Sequence, residues 1–155
     1  MLKILRVGDP HVTVANLEES NRLINFVIKT AVENQIKYVE FLGDLFHTHA
    51  VIRVEVLDFW KKAFLKMNDA QLNTIALVGN HDQPGSKEKE QLMNSMTVFT
   101  DTIPNLTVID APCNIEHGDS YIASYIPYMS SLEDFITASK GLYEQGSEKL
   151  LVCHQ

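Results

Sequence analysis

Short β-branched runs alternate along this chain with longer stretches of helical period. Leu2–Val7 predicts a strand, followed by the turn-like Gly8-Asp9-Pro10-His11. From Asn16 to about Asn34, residues Leu17, Leu23, Ile24, Val27, Ile28 and Ala31 form an apolar stripe at helical spacing. Glu18 and Glu19 sit in the first turn of that helix, where the dipole favours them. The cycle then repeats. Tyr38–Leu42 predicts a strand ending in Gly43-Asp44, and about Ile52–Met67 a second helix. Thr74–Val78 predicts a strand ending in Gly79-Asn80-His81-Asp82, and Lys87–Phe99 a further helix. Such strand–helix alternation is the pattern of a parallel α/β sheet.

The pattern changes after Pro104. Leu106–Ile109, Cys113–His117 and Tyr121–Pro127 read as short strands of a small, largely antiparallel stretch. A helix over about Leu132–Tyr143 and a last strand, Leu150–Cys153, precede His154-Gln155. With 155 residues, 45% of them apolar, the chain is expected to fold as one domain and not to be disordered. No apolar run approaches the roughly 18 residues of a membrane span, and Met1–Val7 is too short for a secretory signal. Thirteen basic against twenty acidic residues give a formal charge of −7, which argues against a broad basic surface for nucleic acid. It does not exclude a grip on one phosphate through two divalent ions, which add about four positive charges locally. Two cysteines suggest reduced thiols in a cytoplasmic setting rather than a disulfide framework.

Four separate predicted strands end in side chains of the kind that bind metals. Asp9 and His11 follow the first, Asp44 and His47 the second, Asn80, His81 and Asp82 the third, and His154 the last. In open α/β sheets the carboxyl ends of the strands line the ligand crevice, so residues distant in sequence are expected to gather there. Four of the six histidines occupy such positions. Carboxylate, imidazole and amide donors together suit Mn²⁺, Fe²⁺ or Zn²⁺, whereas an all-oxygen set would favour Mg²⁺ or Ca²⁺.

Gly8-Asp9-Pro10-His11, Gly43-Asp44-Leu45-Phe46-His47, Gly79-Asn80-His81-Asp82 and Leu150-Leu151-Val152-Cys153-His154-Gln155, in this order, resemble successive motifs of the calcineurin-like metallophosphoesterase superfamily. The Gly-Asp-Leu-Phe-His run, Ile126-Pro127-Tyr128 and the final Leu-Val-x-His-Gln resemble its Mre11/SbcD branch of DNA-repair nucleases, bacterial or phage. The resemblance implies a four-layer α-β-β-α sandwich, of which this chain would supply the N-terminal part. It implies two divalent ions, Mn²⁺ foremost, that activate water for phosphodiester cleavage. Asp9 and His11 would hold one ion, Asp44 would bridge, and Asn80 and His154 would hold the second. His81 would protonate the leaving group, His47 would position the scissile phosphate, and Asp82 would orient His81. Implied partners are DNA, an SbcC/Rad50-like ATPase and, at full length, a second copy of the chain, with no membrane.

The superfamily's closing Gly-His-x-His is absent, so an incomplete catalytic domain with weak metal binding is expected. Two other readings stand beside the nuclease: a phosphatase or nucleotide phosphodiesterase of the same superfamily, and a catalytically silent scaffold. Several residues invite plainer readings. His49 and His117 are expected to face solvent without a role, and Arg53 to be a surface arginine. Trp60 with Phe59, Phe64 and Leu65 is expected to be a packed helix face rather than a base-stacking platform. Lys87-Glu88-Lys89-Glu90 reads as a solvated helix start, and Cys153 as a buried, inert thiol.

Overall fold

The computed structural model describes residues 2–49, 51–84, 93–118, 121–144 and 149–155. Four parallel strands form the first sheet in the order β1 (Ile4–Val7), β2 (Tyr38–Phe41), β3 (Asn73–Leu77) and β4 (Leu106–Ile109). Helix α1 (Leu17–Glu33) connects β1 to β2, and α2 (Val54–Asp69) connects β2 to β3. The second sheet holds β5 (Cys113–His117), β6 (Tyr121–Ile126) and β7 (Lys149–Cys153). Its β5–β6 pair is antiparallel and its β6–β7 pair parallel. Helix α3 (Leu132–Glu144) lies against β6. No helix among the described residues is long and apolar enough to cross a membrane.

Side-chain period explains the layering. Ile24, Val27 and Ala31 of α1 and Val56, Trp60, Ala63, Phe64 and Met67 of α2 recur at helical spacing and are buried. They pack on Val39, Phe41 and Ala76, the residues that β2 and β3 direct to one face. The alternate residues Ile75 and Leu77 face the other way, against Ala123, Tyr125 and Val152 of the second sheet. Each large apolar side chain so buried contributes about 1.5–3 kcal/mol. Trp60 is fully buried, as expected of a packed helix face, and its indole Nε1–H donates to the Leu45 carbonyl (3.2 Å) in the loop after β2.

Both helices end in the same way. Gln35 and Gln71 adopt φ of 56° and 57°, and the amides of Ile36 and Leu72 bond back to Ala31 and Met67 (2.8 and 3.0 Å). This left-handed cap satisfies the last helical carbonyls and turns the chain into the next strand.

The structure revises three expectations here. Residues 87–92 of the helix expected over Lys87–Phe99 lie outside the described residues. Its described end is a 3₁₀ helix, Ser95–Phe99, whose first turn is capped by the Asn94 side chain accepting from the Met96 amide (2.9 Å). Cys153 is exposed, because β7 alternation turns Val152 into the inter-sheet core and Leu151 and Cys153 outward. His117 does not face solvent. It shares a strand face with Cys113 and Ile115 and is buried between the sheets, its Nε2 2.8 Å from the Tyr125 hydroxyl.

That hydroxyl donates to Glu40 (2.5 Å), a fully buried carboxylate that also accepts from Arg6 (2.7 Å). Tyr38 packs edge-on against the His117 ring at 4.8 Å, and Tyr121 lies at 6.0 Å. Burial lowers the His117 pKa, with nearby Arg6 adding to the effect and Glu40 opposing it. Below about pH 6.5 the unfolded chain takes up a proton that the native site refuses, so stability is lost as pH falls. His117→Gln is expected to flatten that loss. Urea unfolding on either side of pH 6.5 measures it, and equal slopes for the two proteins would count against it.

Candidate metal centre

The loops that follow β1, β2, β3 and β7 meet at one edge of the two sheets. The His11 and Val12 amides bond to the Asp44 and Leu45 carbonyls (3.0 Å each), which zips the first loop to the second. The Tyr128 amide reaches the Val78 carbonyl (2.9 Å) and the His154 amide that of Ile126 (3.2 Å), which brings the second sheet to the same edge. Asp9, His11 and Asp44 hold φ of 42°, 43° and 53°. Non-glycine residues occupy this left-handed region only when their surroundings impose it, commonly at functional sites.

Two glycines are required by contact. A Cβ at Gly79 would collide with the carboxylate and amide nitrogen of Asp44. At Gly43, where φ is +105°, it would collide with the His154 ring. The Gly-Asp and Gly-Asn spacings therefore reflect the closeness of three loops as well as the tightness of each turn.

Asp44 is at the centre. Its side chain is 7% exposed, with Oδ2 3.4 Å from His11 Nε2 and Oδ1 3.4 Å from His154 Nε2. The His81 amide donates to Oδ1 (2.9 Å). One carboxylate thus faces a histidine on each side. His154 Nδ1 lies 2.8 Å from the Leu42 carbonyl, which can only accept, so Nδ1 carries the proton of the neutral ring. The Nε2 lone pair then points at Asn80 Oδ1 (3.0 Å) as well as at Asp44 Oδ1. Asp9, exposed at the rim, places Oδ1 3.7 Å from the same ring. Lone pairs from an imidazole, an amide oxygen and a carboxylate converge here, with the His81 amide donating to only one of them, and a bound cation would relieve that crowding. The donor set fits a divalent metal.

His47 and His81 stand beside this group. The His81 and His47 rings are near-parallel (15°) with centroids 5.7 Å apart, and His11 meets both edge-on at 4.8 and 5.4 Å. His81 Nδ1 is 2.6 Å from the His47 carbonyl, so its proton sits on Nδ1 and Nε2 is free.

Asp82 departs from expectation. Its buried carboxylate accepts from the Phe46 amide (3.0 Å) and the Gly79 amide (2.9 Å), so it joins the second and third loops. The group that fixes the His81 tautomer is the His47 carbonyl instead. Burial raises the Asp82 pKa, while bonds from the Phe46, Gly79 and Leu45 amides oppose that shift.

All eight residues singled out by their strand-end positions therefore meet at this edge. One contact was missed. His49, exposed as expected, stacks on His81 (4.2 Å, 24°), with Nδ1 2.9 Å from the Asn80 carbonyl. The available signal was the His47-Thr48-His49 spacing, which returns a second ring to the same loop. Among the described residues, Arg53 pairs with Glu55 (2.8 Å) on the surface, as expected of a surface arginine.

A profile of the "Calcineurin-like phosphoesterase" family matches residues 2–151, nearly the whole chain. The chain belongs to this family. Its members use divalent metal ions, in agreement with the donor set around Asp44. "Exonuclease subunit 1" of Enterobacteria phage T4 is 28% identical over 134 residues, 83% of this chain and 38% of the relative. "Putative phosphoesterase 078R" of Invertebrate iridescent virus 3 is 26% identical over 112 residues, covering 70% and 31%. "Putative phosphoesterase 244L" of Invertebrate iridescent virus 6 is 31% identical over 105 residues, covering 64% and 36%. The chain thus spans between three and four tenths of the length of these relatives.

Proposed function

We propose that this chain carries the metal-binding core of a DNA phosphodiesterase. The observation that supports this reading most is the position of Asp44 between His11 and His154, with the rings of His47 and His81 beside it. Asp9 and His11 would hold one divalent ion and Asn80 and His154 the other, with Asp44 available to both; Mn²⁺ suits this mixed set. Bound there, the ions supply positive charge for the phosphate oxygens and acidify water.

The remaining work falls to side chains of this chain. His81, with Nδ1–H tied to the His47 carbonyl, takes up a second proton from solvent at Nε2 and delivers that proton to the departing oxygen. His47, exposed at the mouth, engages the phosphate to be cleaved. Asp82 acts through the backbone by holding the loops of Asp44 and Asn80 in register. His49 supports the His81 ring by stacking.

DNA as substrate, and assembly with an ATPase subunit and a second copy of the chain, are favoured by the likeness to an exonuclease subunit and by the Gly-Asp-Leu-Phe-His run. The test is Mn²⁺-dependent cleavage of DNA by the intact protein that contains this chain, with phosphomonoesters assayed in parallel. Cleavage of DNA is expected. Hydrolysis of monoesters with DNA left intact would replace the nuclease reading by a phosphatase.

A further inference from the structure

The histidines beside Asp44 form a second donor group. Ligand nitrogens of His11, His47 and His81 all lie within 4.8 Å of one another, as do the carboxylate oxygens and imidazole nitrogen of the separate set Asp9, Asp44 and His154. We propose that His11, His47 and His81 constitute a three-imidazole site for a borderline transition-metal ion such as Zn²⁺, distinct from the carboxylate-bearing set Asp9, Asp44 and His154 and drawing on His11, which the phosphodiesterase reading gives to one of its two ions.

The two groups differ in chemistry. One offers carboxylates with an amide oxygen and an imidazole, the other three imidazoles and no carboxylate. Imidazole-only donors favour Zn²⁺, Ni²⁺ and Cu²⁺ over Mn²⁺ and Mg²⁺. Tetrahedral Zn²⁺ holds its nitrogens at about 2.0–2.1 Å, hence about 3.4 Å from one another. Small side-chain rotations suffice to bring nitrogens from within 4.8 Å to that spacing, and His47 is exposed and free to make them.

His81 is already prepared as a ligand. Its Nδ1–H is committed to the His47 carbonyl at 2.6 Å, the arrangement by which metal-binding histidines are usually oriented with a bare Nε2. His49, stacked on the His81 ring at 4.2 Å and bonded to the Asn80 carbonyl, restrains the ring from swinging away. His11 is not fully committed either: Nε2 faces Asp44, whereas Nδ1 is buried with no hydrogen-bond partner among the described residues.

Occupation of this site has a regulatory consequence. It withdraws His47 and His81 from the phosphate and His11 from its neighbouring ion, so excess Zn²⁺ silences a centre that Mn²⁺ supports. That consequence rests on the phosphodiesterase reading; the binding does not.

The experiment is a titration of the whole chain with Co²⁺ followed by its visible absorption, then competition with Zn²⁺, without substrate. A four-coordinate band is expected, displaced by Zn²⁺. His47→Ala and His81→Ala should each weaken Co²⁺ and Zn²⁺ binding by at least about 10-fold, and Asp9→Asn should leave it unchanged. His47→Ala preserves the carbonyl that holds His81, and a thermal melt of each variant reports its fold. Wild-type affinity in a folded His47→Ala, or loss of the band in Asp9→Asn, would place the ion in the carboxylate-bearing group and overturn the proposal. Absence of DNA cleavage by a protein that shows the band would remove the nuclease reading and leave this site standing.

Discussion

His81→Ala is expected to slow DNA cleavage by about 10²–10⁴-fold, the range for loss of a positioned general acid. The imidazole is the only part of His81 that this substitution removes. The backbone amide that donates to Asp44 Oδ1 (2.9 Å) stays, and so do Asp9, Asn80 and His154. Stabilisation of the protein by Mn²⁺ should therefore be retained while kcat falls. Steady-state cleavage of a defined oligonucleotide, paired with thermal melts with and without Mn²⁺, separates the two effects. An unchanged rate would remove His81 from the reaction. Loss of the Mn²⁺ effect would mean that the side chain holds the loop together instead.

The largest effect on stability outside the hydrophobic core is expected from Asp82→Ala. Its carboxylate is the acceptor for two backbone amides, those of Phe46 and Gly79, in a buried position. Each buried N–H left without an acceptor costs about 1–3 kcal/mol, so the variant should lose about 2–6 kcal/mol. That is a large share of the about 5–15 kcal/mol that ordinarily separates native from unfolded states. Urea unfolding measures it, and Asp82→Asn, which keeps one acceptor oxygen, should fall between the two. The same substitution should weaken Mn²⁺ binding by about 10–100-fold, because the loops carrying Asp44 and Asn80 lose their shared anchor. A loss below about 1 kcal/mol would show that the loops hold register without the carboxylate.

The parts of this protein legible from residues alone share a physical origin. Ile24, Val27 and Ala31, or Trp60, Phe64 and Met67, reveal a helix because period sets which side chains share a face. Strand-end placement then brought Asp9, His11, Asp44, His47, Asn80, His81 and His154 together, since parallel strands align their carboxyl ends. His117 could have been placed by the same rule. It follows Cys113 and Ile115 on alternate positions of β5, and a polar terminal residue obscured that pattern.

Other features required the tertiary structure. Glu40 lies on a strand whose neighbours Val39 and Phe41 are buried on the helical side. Only the packing of a second sheet on its other face makes it a buried carboxylate held by Arg6 and Tyr125. Cys153 is exposed because of which face of β7 meets that core. Asp82 and His81 are neighbours in sequence, yet their partners come from the loop after β2, more than thirty residues away. The sequence by itself determined the elements, their order and the residues brought to one edge, because periodicity and strand direction are local properties. The structure alone decided which atoms in that edge converge on one another, which face a carbonyl and which brace a loop. Those choices depend on directions and distances of a few ångströms between segments that the chain order does not relate.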